Sequence, residues 1–301
     1  MPNFTQIGLD LQSVMKRTYA NLLYRSTFFN FLNEDYIGDI RQAGTPVIEV
    51  LKNQKTTLNK RQQAEILDNG KVSPALAGYD SVKVYLTELA MDYSFRIPVL
   101  VVGSNIVNAI DEQIKLNDSE IVTEIDTYGF DKMAKKITGD RTGTNTALTT
   151  GTLYKWAPTT KEEYIDALTE LSAMLFNLKI YDTYRLGLEA IQHGKLVSAL
   201  TSILKYETLA GVEGVDRGKI ANAYGVDIFP IASPVLTNGE LGYFANPVGV
   251  VGDTFFTDMV EYNGNYPGFP GYYCVEGNVL FGAEVVRPEA IIKLVSEISG
   301  E

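Results

Sequence analysis

Residues 45–89 read TPVIEVLKNQKTTLNKRQQAEILDNGKVSPALAGYDSVKVYLTEL. The two ends, Thr45–Leu51 and Ser81–Leu89, alternate in polarity or are β-branched, which is the texture of strands. Between them run roughly 30 polar residues, against a median connection of about five. Lys52–Arg61 holds four cations, Lys52, Lys55, Lys60 and Arg61, and no acid, and Asp68-Asn69-Gly70 is a tight-turn signal. Such a length reads either as a projecting two-stranded arm or as a disordered surface loop. Strand character on both flanks and Gly, Pro and Asn in the middle favour the arm.

Upstream, residues 1–37 carry a sparse helical pattern (Ile7, Leu11, Val14, Met15, Leu22, Leu23) and then a knot of aromatics: Tyr19, Tyr24, Phe28, Phe29, Phe31 and Tyr36. Terminal segments fray unless they dock, so this one should pack on its own domain or on a neighbouring subunit. Downstream, Met91–Val102 is strand-like and Ser104–Lys115 forms a short segment. A helix of roughly 20 residues, about 30 Å long, is then expected from Ser119. Ser119 would cap it, Glu120 and Glu124 would favour its positive end, and Lys132, Lys135 and Lys136 its negative end, with Gly139 past the stop. Ile121, Ile125, Gly129 and Met133 form one stripe. On this reading Glu120, Glu124 and Asp126 serve helix electrostatics rather than a metal or acid/base cluster.

Residues 139–160 read as linker. Thr159 or Thr160 should cap a second amphipathic helix over 161–176, buried through Tyr164, Ile165, Leu168, Leu171 and Leu175. A strand at Thr183–Ala190, a helix near 192–205, a turn at Gly211–Gly218 and a buried strand at Tyr224–Ile231 follow. The last third, dense in Gly, Pro and Tyr, makes turns and strands.

Composition narrows the function. The chain has 301 residues, 26 Lys plus Arg against 37 Asp plus Glu, a net charge of −11 and 45% hydrophobic residues. That is a globular composition, without need of disulfide or metal staples. Cys274 and His193 are the only Cys and His, which excludes a Cys/His zinc site, a disulfide within the chain and a Cys-x-x-Cys pair. Cys274 reads as a buried small hydrophobe. His193 reads as a polar helix-start residue with no nucleophile or paired carboxylate beside it. No phosphate-binding loop, nucleophile elbow or zinc-protease motif occurs, so no catalytic, cofactor or metal residue is assigned and the chain is not expected to be an enzyme. The acidic balance argues against gripping DNA over a broad face. Nothing resembles a secretion signal or a membrane span.

The order of these pieces resembles the HK97-like major capsid proteins of tailed bacteriophages. The resemblance rests on Asn33-Glu34-Asp35-Tyr36-Ile37-Gly38-Asp39-Ile40 with Gly44-Thr45-Pro46-Val47-Ile48, on Tyr93-Ser94-Phe95-Arg96-Ile97, and on Glu124-Ile125-Asp126-Thr127-Tyr128 in the long helix. Lys219 to Ile228 and Phe281 to Ile292 complete it. It implies an α+β fold with an N-arm (1–37), an extended hairpin E-loop (38–90), a peripheral domain holding a spine helix (91–150 with 272–301) and an axial domain (151–271).

It also implies a structural role. Hexamers and pentamers would self-assemble into an icosahedral virion shell around packaged double-stranded DNA, in the bacterial host cytoplasm. The implied partners are copies of the chain, a scaffolding protein, a portal, an optional decoration protein, and DNA in non-specific contact. Tyr24, Phe28, Phe29 and Phe31 of the arm, with Lys52, Lys55, Lys60 and Arg61 of the loop, would then touch neighbouring subunits. No Asn and Glu partners for a Lys55 or Lys60 isopeptide link stand out, and the start of the chain shows no internal scaffold segment, which implies a separate scaffolding protein. The alternatives are an encapsulin-like nanocompartment shell and a small-molecule α/β enzyme.

Overall fold

A computed structural model describes residues 11–36, 47–53, 79–98, 106–137, 151–181, 183–200, 221–223, 225–237, 239–257 and 260–297. Its first helix, α1, is Leu11–Arg25, followed by two short 3-10 turns at Phe28–Phe31 and Glu34–Tyr36. Strands β1 (Val47–Asn53) and β2 (Tyr79–Tyr85) pair antiparallel, Val47 opposite Tyr85 and Asn53 opposite Tyr79. The two flanks of the polar excursion are thus the legs of one ribbon. Lys55, Lys60 and Arg61 lie outside the described residues.

A turn at 86–88 leads into β3 (Leu89–Pro98), and the spine helix α2 follows as Ile106–Lys136. It has 31 residues, about 46 Å at 1.5 Å per residue. The expected break before Ser119 does not exist, and Ser119 is no cap: its carbonyl accepts from Thr123 Oγ1 inside the helix at 2.9 Å. The polar triplet Asn117-Asp118-Ser119 suggests a helix start, yet Asp118 is buried and accepts from Asn21 Nδ2 at 2.7 Å. A distant partner rather than a helix end explains it. The acids at 120, 124 and 126 therefore sit in mid-helix, away from its positive end.

The remaining elements are β4 (Thr152–Lys155), α3 (Lys161–Asn177), β5 (Tyr184–Glu189), α4 (Ala190–Leu200), β6 (Ala221–Ala223), β7 (Val226–Ile231), β8 (Glu240–Ala245), β9 (Val250–Phe256), β10 (Val260–Tyr266), β11 (Phe269–Val285) and β12 (Ile291–Val295). Thr160 caps α3 with a full capping box, its side chain accepting from Glu163 N while Glu163 bonds back. Gly139 and the expected turn at Gly211–Gly218 lie outside the described residues.

Two sheets carry the fold. One is antiparallel, with β11 between β3 and, in succession, β10 and β9. The other has the order β4-β12-β8-β5-β7-β6, with β12–β4 and β5–β7 parallel. Strand pairing crosses the expected boundary at 271/272. β9 and β10 hydrogen-bond to β11 in the first sheet, and β12 joins the second, because the apolar return Ile291–Val295 is buried on both faces there.

Alternation along these strands splits the core. Val226, Ile228, Phe244, Ile292 and Leu294 face α3 and α4, where Tyr164, Leu168, Leu171, Leu175, Leu196 and Leu200 meet them. Phe229, Ile231, Tyr243, Ala245 and Ile291 face the other way, onto the spine helix and the arm. The six-stranded sheet is therefore covered on both faces.

Candidate functional site: the arm seat and the loop root

The chain after α1 is held by one carboxylate. Asp126, in the middle of the spine helix and 5% exposed, accepts from Ser26 Oγ at 2.5 Å, Thr27 Oγ1 at 2.7 Å, Phe28 N at 3.0 Å and Thr27 N at 3.1 Å. It satisfies the free N–H groups that open the first 3-10 turn. Burial pushes its pKa up, and the four donors only partly counter that. The aromatic knot lies just beyond. Phe28 packs edge-on against Phe130 and Phe281, with centroids 5.4 and 6.1 Å away, and Phe31 against Phe130 and Phe229 at 5.7 and 5.0 Å. Gly129 makes this possible, since a Cβ there would stand 2.4 Å from the Phe28 ring.

Further bonds fasten the segment. Arg185, buried on β5, donates through one terminal nitrogen to Asn30 O and through the other to Glu34 Oε1 at 2.7 Å. Asn33 N donates to Val250 O at 2.9 Å, and Tyr19 donates its hydroxyl hydrogen to Asp253 at 3.2 Å. Phe28, Phe29 and Phe31, expected at a subunit boundary, are 0%, 3% and 0% exposed inside the chain's own core. They are not surface contacts, because the cleft over Gly129 takes them first. Tyr24 lies on α1 and Lys52 on β1, paired in register with Asp80.

The second cluster sits where the ribbon meets the body. Glu88, in the turn between β2 and β3, accepts from the Tyr128 hydroxyl and from Lys132 Nζ, the latter at 2.5 Å. Lys132 also lies 3.8 Å from Glu284 on β11, which pairs with Lys136 at 2.8 Å. Burial would raise the Glu88 pKa, but the hydrogen bonds from Lys132 and Tyr128 outweigh it and hold it below the ordinary value. Burial first, and then Glu88, pushes Tyr128 up to about 12, while Glu88 lifts Lys132 to about 12 against its own burial. The β1–β2 ribbon is thereby fixed to one turn of the spine helix. Neither cluster was found from sequence; the signals were Asp126 in mid-stripe and a glycine on that stripe beside an aromatic run.

Among the described residues no group of three or more His, Cys, Asp or Glu side chains is placed to hold a metal. His193 lies in the first turn of α4 as expected, but buried rather than in a polar position, and burial lowers its pKa. Cys274 is buried and free. No helix among the described residues is long and apolar enough to cross a membrane.

An N-terminal segment seated on a long helix, a two-stranded ribbon rooted beside it, and two sheets divided by that helix make a distinctive arrangement. It matches a chain of Mycobacterium phage Che8 with a TM-score of 0.56 over 89% of this chain and 90% of that one, at 16% identity. It matches a chain from the capsid of Ralstonia phage GP4 at 0.54 (94% and 90% covered, 11% identity) and one from the capsid of cyanophage P-SCSP1u at 0.52 (84% of each, 11% identity). The chain has the HK97-like capsid fold. No protein-family model and no curated protein matches the sequence. Among the described residues the arm seat and the loop root join extended pieces to the body.

Proposed function

We propose that the protein is the major shell protein of a tailed-phage head. The observation that carries this reading is the near-complete match in both directions to phage chains, two of them from capsids. On this reading copies assemble as hexamers and pentamers into an icosahedral virion shell, built in the host cytoplasm and filled with double-stranded DNA. A scaffolding protein guides assembly, a portal occupies one vertex, and a decoration protein is the optional addition. The net charge of −11 suits a wall that lies beside packed DNA without gripping it. The role is structural, with no chemistry assigned to any side chain.

The chain divides into an arm (1–37), an E-loop (38–90), a peripheral part around the spine helix and the antiparallel sheet, and an axial part around the six-stranded sheet with α3 and α4. The loop cations Lys52, Lys55, Lys60 and Arg61 remain the proposed contacts to acidic surface on a neighbour, whereas the arm aromatics act within the subunit. Negative-stain microscopy and size-exclusion chromatography of the purified protein, alone and with a co-expressed scaffold, test this. Shells, capsomers or tubes are expected, and particle size separates a phage head from a small compartment. A monomer or dimer that never assembles at high concentration refutes it.

A further inference from the structure

The chain has one histidine, and its surroundings suit only the uncharged imidazole. His193 lies in the first turn of α4 and shares a buried face with Leu196 and Leu200. That face packs in one cluster with Leu186 and Leu188 of β5, Val226 and Ile228 of β7, and Tyr164 and Leu168 of α3. His193 is 5% exposed, and its Nε2 is buried without a hydrogen-bond partner. A neutral ring bears that arrangement, whereas an imidazolium would bury a further N–H donor and a charge. Position adds to the penalty, because the first turn of a helix is its positive end.

No carboxylate among the described residues is turned toward His193 from the elements packed on α4. β5 and β7 present alternate residues to the helices, so Arg185, Glu189 and Asp227 fall on the opposite side from Leu186, Leu188, Val226 and Ile228. Arg185 is engaged by the arm, and Glu189 accepts from Ser233 Oγ at 3.0 Å. The titratable groups on the helix side are phenols. Burial raises the pKa of Tyr164, and Tyr184 donates its hydroxyl hydrogen to Ile180 O at 2.8 Å. Lys161, Glu162, Glu163, Asp166 and Glu170 of α3, and Lys195 of α4, lie off the buried faces of their helices. A charge on His193 would therefore find no counter-ion there.

α4 is also the lighter cover on this side of the sheet. It has 11 residues against 17 in α3, and Gly194, next to His193, weakens the helix further. We propose that His193 couples the closure of α4 on the six-stranded sheet to acidity: the uncharged ring lets the helix close, and a second proton on the ring drives its first turn away from β5 and β7 into water. Burial lowers the pKa of His193 from the ordinary 6.5, so the closed form binds fewer protons than the open one. Closure is therefore full above 6.5 and weakens as pH falls below it, by at most about tenfold per pH unit for one proton. The loss levels off once the pH has passed the lowered value. The device acts within one subunit and stands apart from the shell reading.

Hydrogen–deuterium exchange of the full chain at pH 7.5 and 5.5 tests this, with labelling times scaled to the intrinsic exchange rate. Peptides from Ala190–Leu200 should lose several-fold, up to about tenfold, in protection at the lower pH, while peptides from the spine helix keep theirs. His193→Leu should hold α4 equally protected at both pH values, and His193→Gln, uncharged but polar, serves the same purpose where leucine does not fold. In wild type the Cε1–H resonance of this sole imidazole reports the titration directly, and its midpoint should lie below 6.5. Four results overturn the proposal: wild-type α4 equally protected at both pH values, an equal loss along the spine helix, a loss that survives in either variant, or an imidazole midpoint at or above 6.5.

Discussion

Replacing Gly129 by alanine sets two effects of opposite sign against each other. In an isolated helix the change stabilises by about 1 kcal/mol, because glycine carries the larger conformational-entropy cost. Here the new Cβ would lie 2.4 to 2.5 Å from three atoms of the Phe28 ring, where carbon atoms normally rest about 3.5–4.0 Å apart. The overlap exceeds 1 Å and the ring has nowhere to go: Phe28 is fully buried, with Phe130 and Phe281 packed edge-on against it. Overpacking of a dense core costs about 1–3 kcal/mol, and an entire ring in the way argues for the upper end. The expected net loss is about 2 kcal/mol.

Urea unfolding of the unassembled chain, followed by circular dichroism, should show a lower midpoint at unchanged slope. Trypsin should cut faster at the exposed Arg25 beside the arm seat. Phe28→Ala alone should cost about 3–5 kcal/mol through its cavity. Combined with Gly129→Ala it should cost less than the sum, since the methyl then enters vacated space. A Gly129→Ala protein that is more stable than wild type, with additive behaviour in the double variant, would refute the seat.

Asp126→Asn should lower stability by about 2 kcal/mol, because an amide oxygen cannot accept all four donors that now converge on the carboxylate. Since the folded pKa of Asp126 is raised, the stability tied to this group is full below 3.8, the ordinary value, and falls as pH rises through the raised value; a pH series of urea midpoints should show that step in wild type and not in the variant. Arg185→Met should cost about 1–3 kcal/mol by removing the hydrogen bond that the buried Arg185 gives to the Asn30 carbonyl. Glu34→Gln should cost under about 1 kcal/mol, since Glu34 is half exposed, and equal losses would contradict the assignment. Glu88→Gln should lower the Tyr128 phenol titration from about 12, read at 295 nm against a Tyr128→Phe control; an unmoved midpoint would mean that the loop root is not formed as described.

What the sequence discloses here is local, and what it hides depends on distant partners. The capping box at Thr160 and Glu163, the β1–β2 legs and the buried strand Val226–Ile231 all follow from neighbours within a few residues. The first half of the spine helix is hidden because Asn117-Asp118-Ser119 is a start signal by every local rule. Only Asn21, 97 residues away, makes Asp118 at home in a helix. Strand β4 is hidden for a similar reason. Thr152–Lys155 is too short to stand out after the Gly- and Thr-rich run before it, and is a strand because β12 runs parallel beside it.

The aromatic arm shows how such a misreading arises. An aromatic-rich chain end has too much apolar area to leave in water, and sequence alone cannot say which surface covers it. Gly129 decides the matter, because a helix lacking one side chain on its core stripe offers a slot for a ring, and Phe28 fills it within the chain. Burial of Phe28, Phe29 and Phe31 at 0–3% exposure leaves the end of the arm fixed to the subunit through Asp126 and Arg185. The aromatic residues of the arm seat thus serve cohesion within the chain, packed edge-on against Phe130, Phe229 and Phe281.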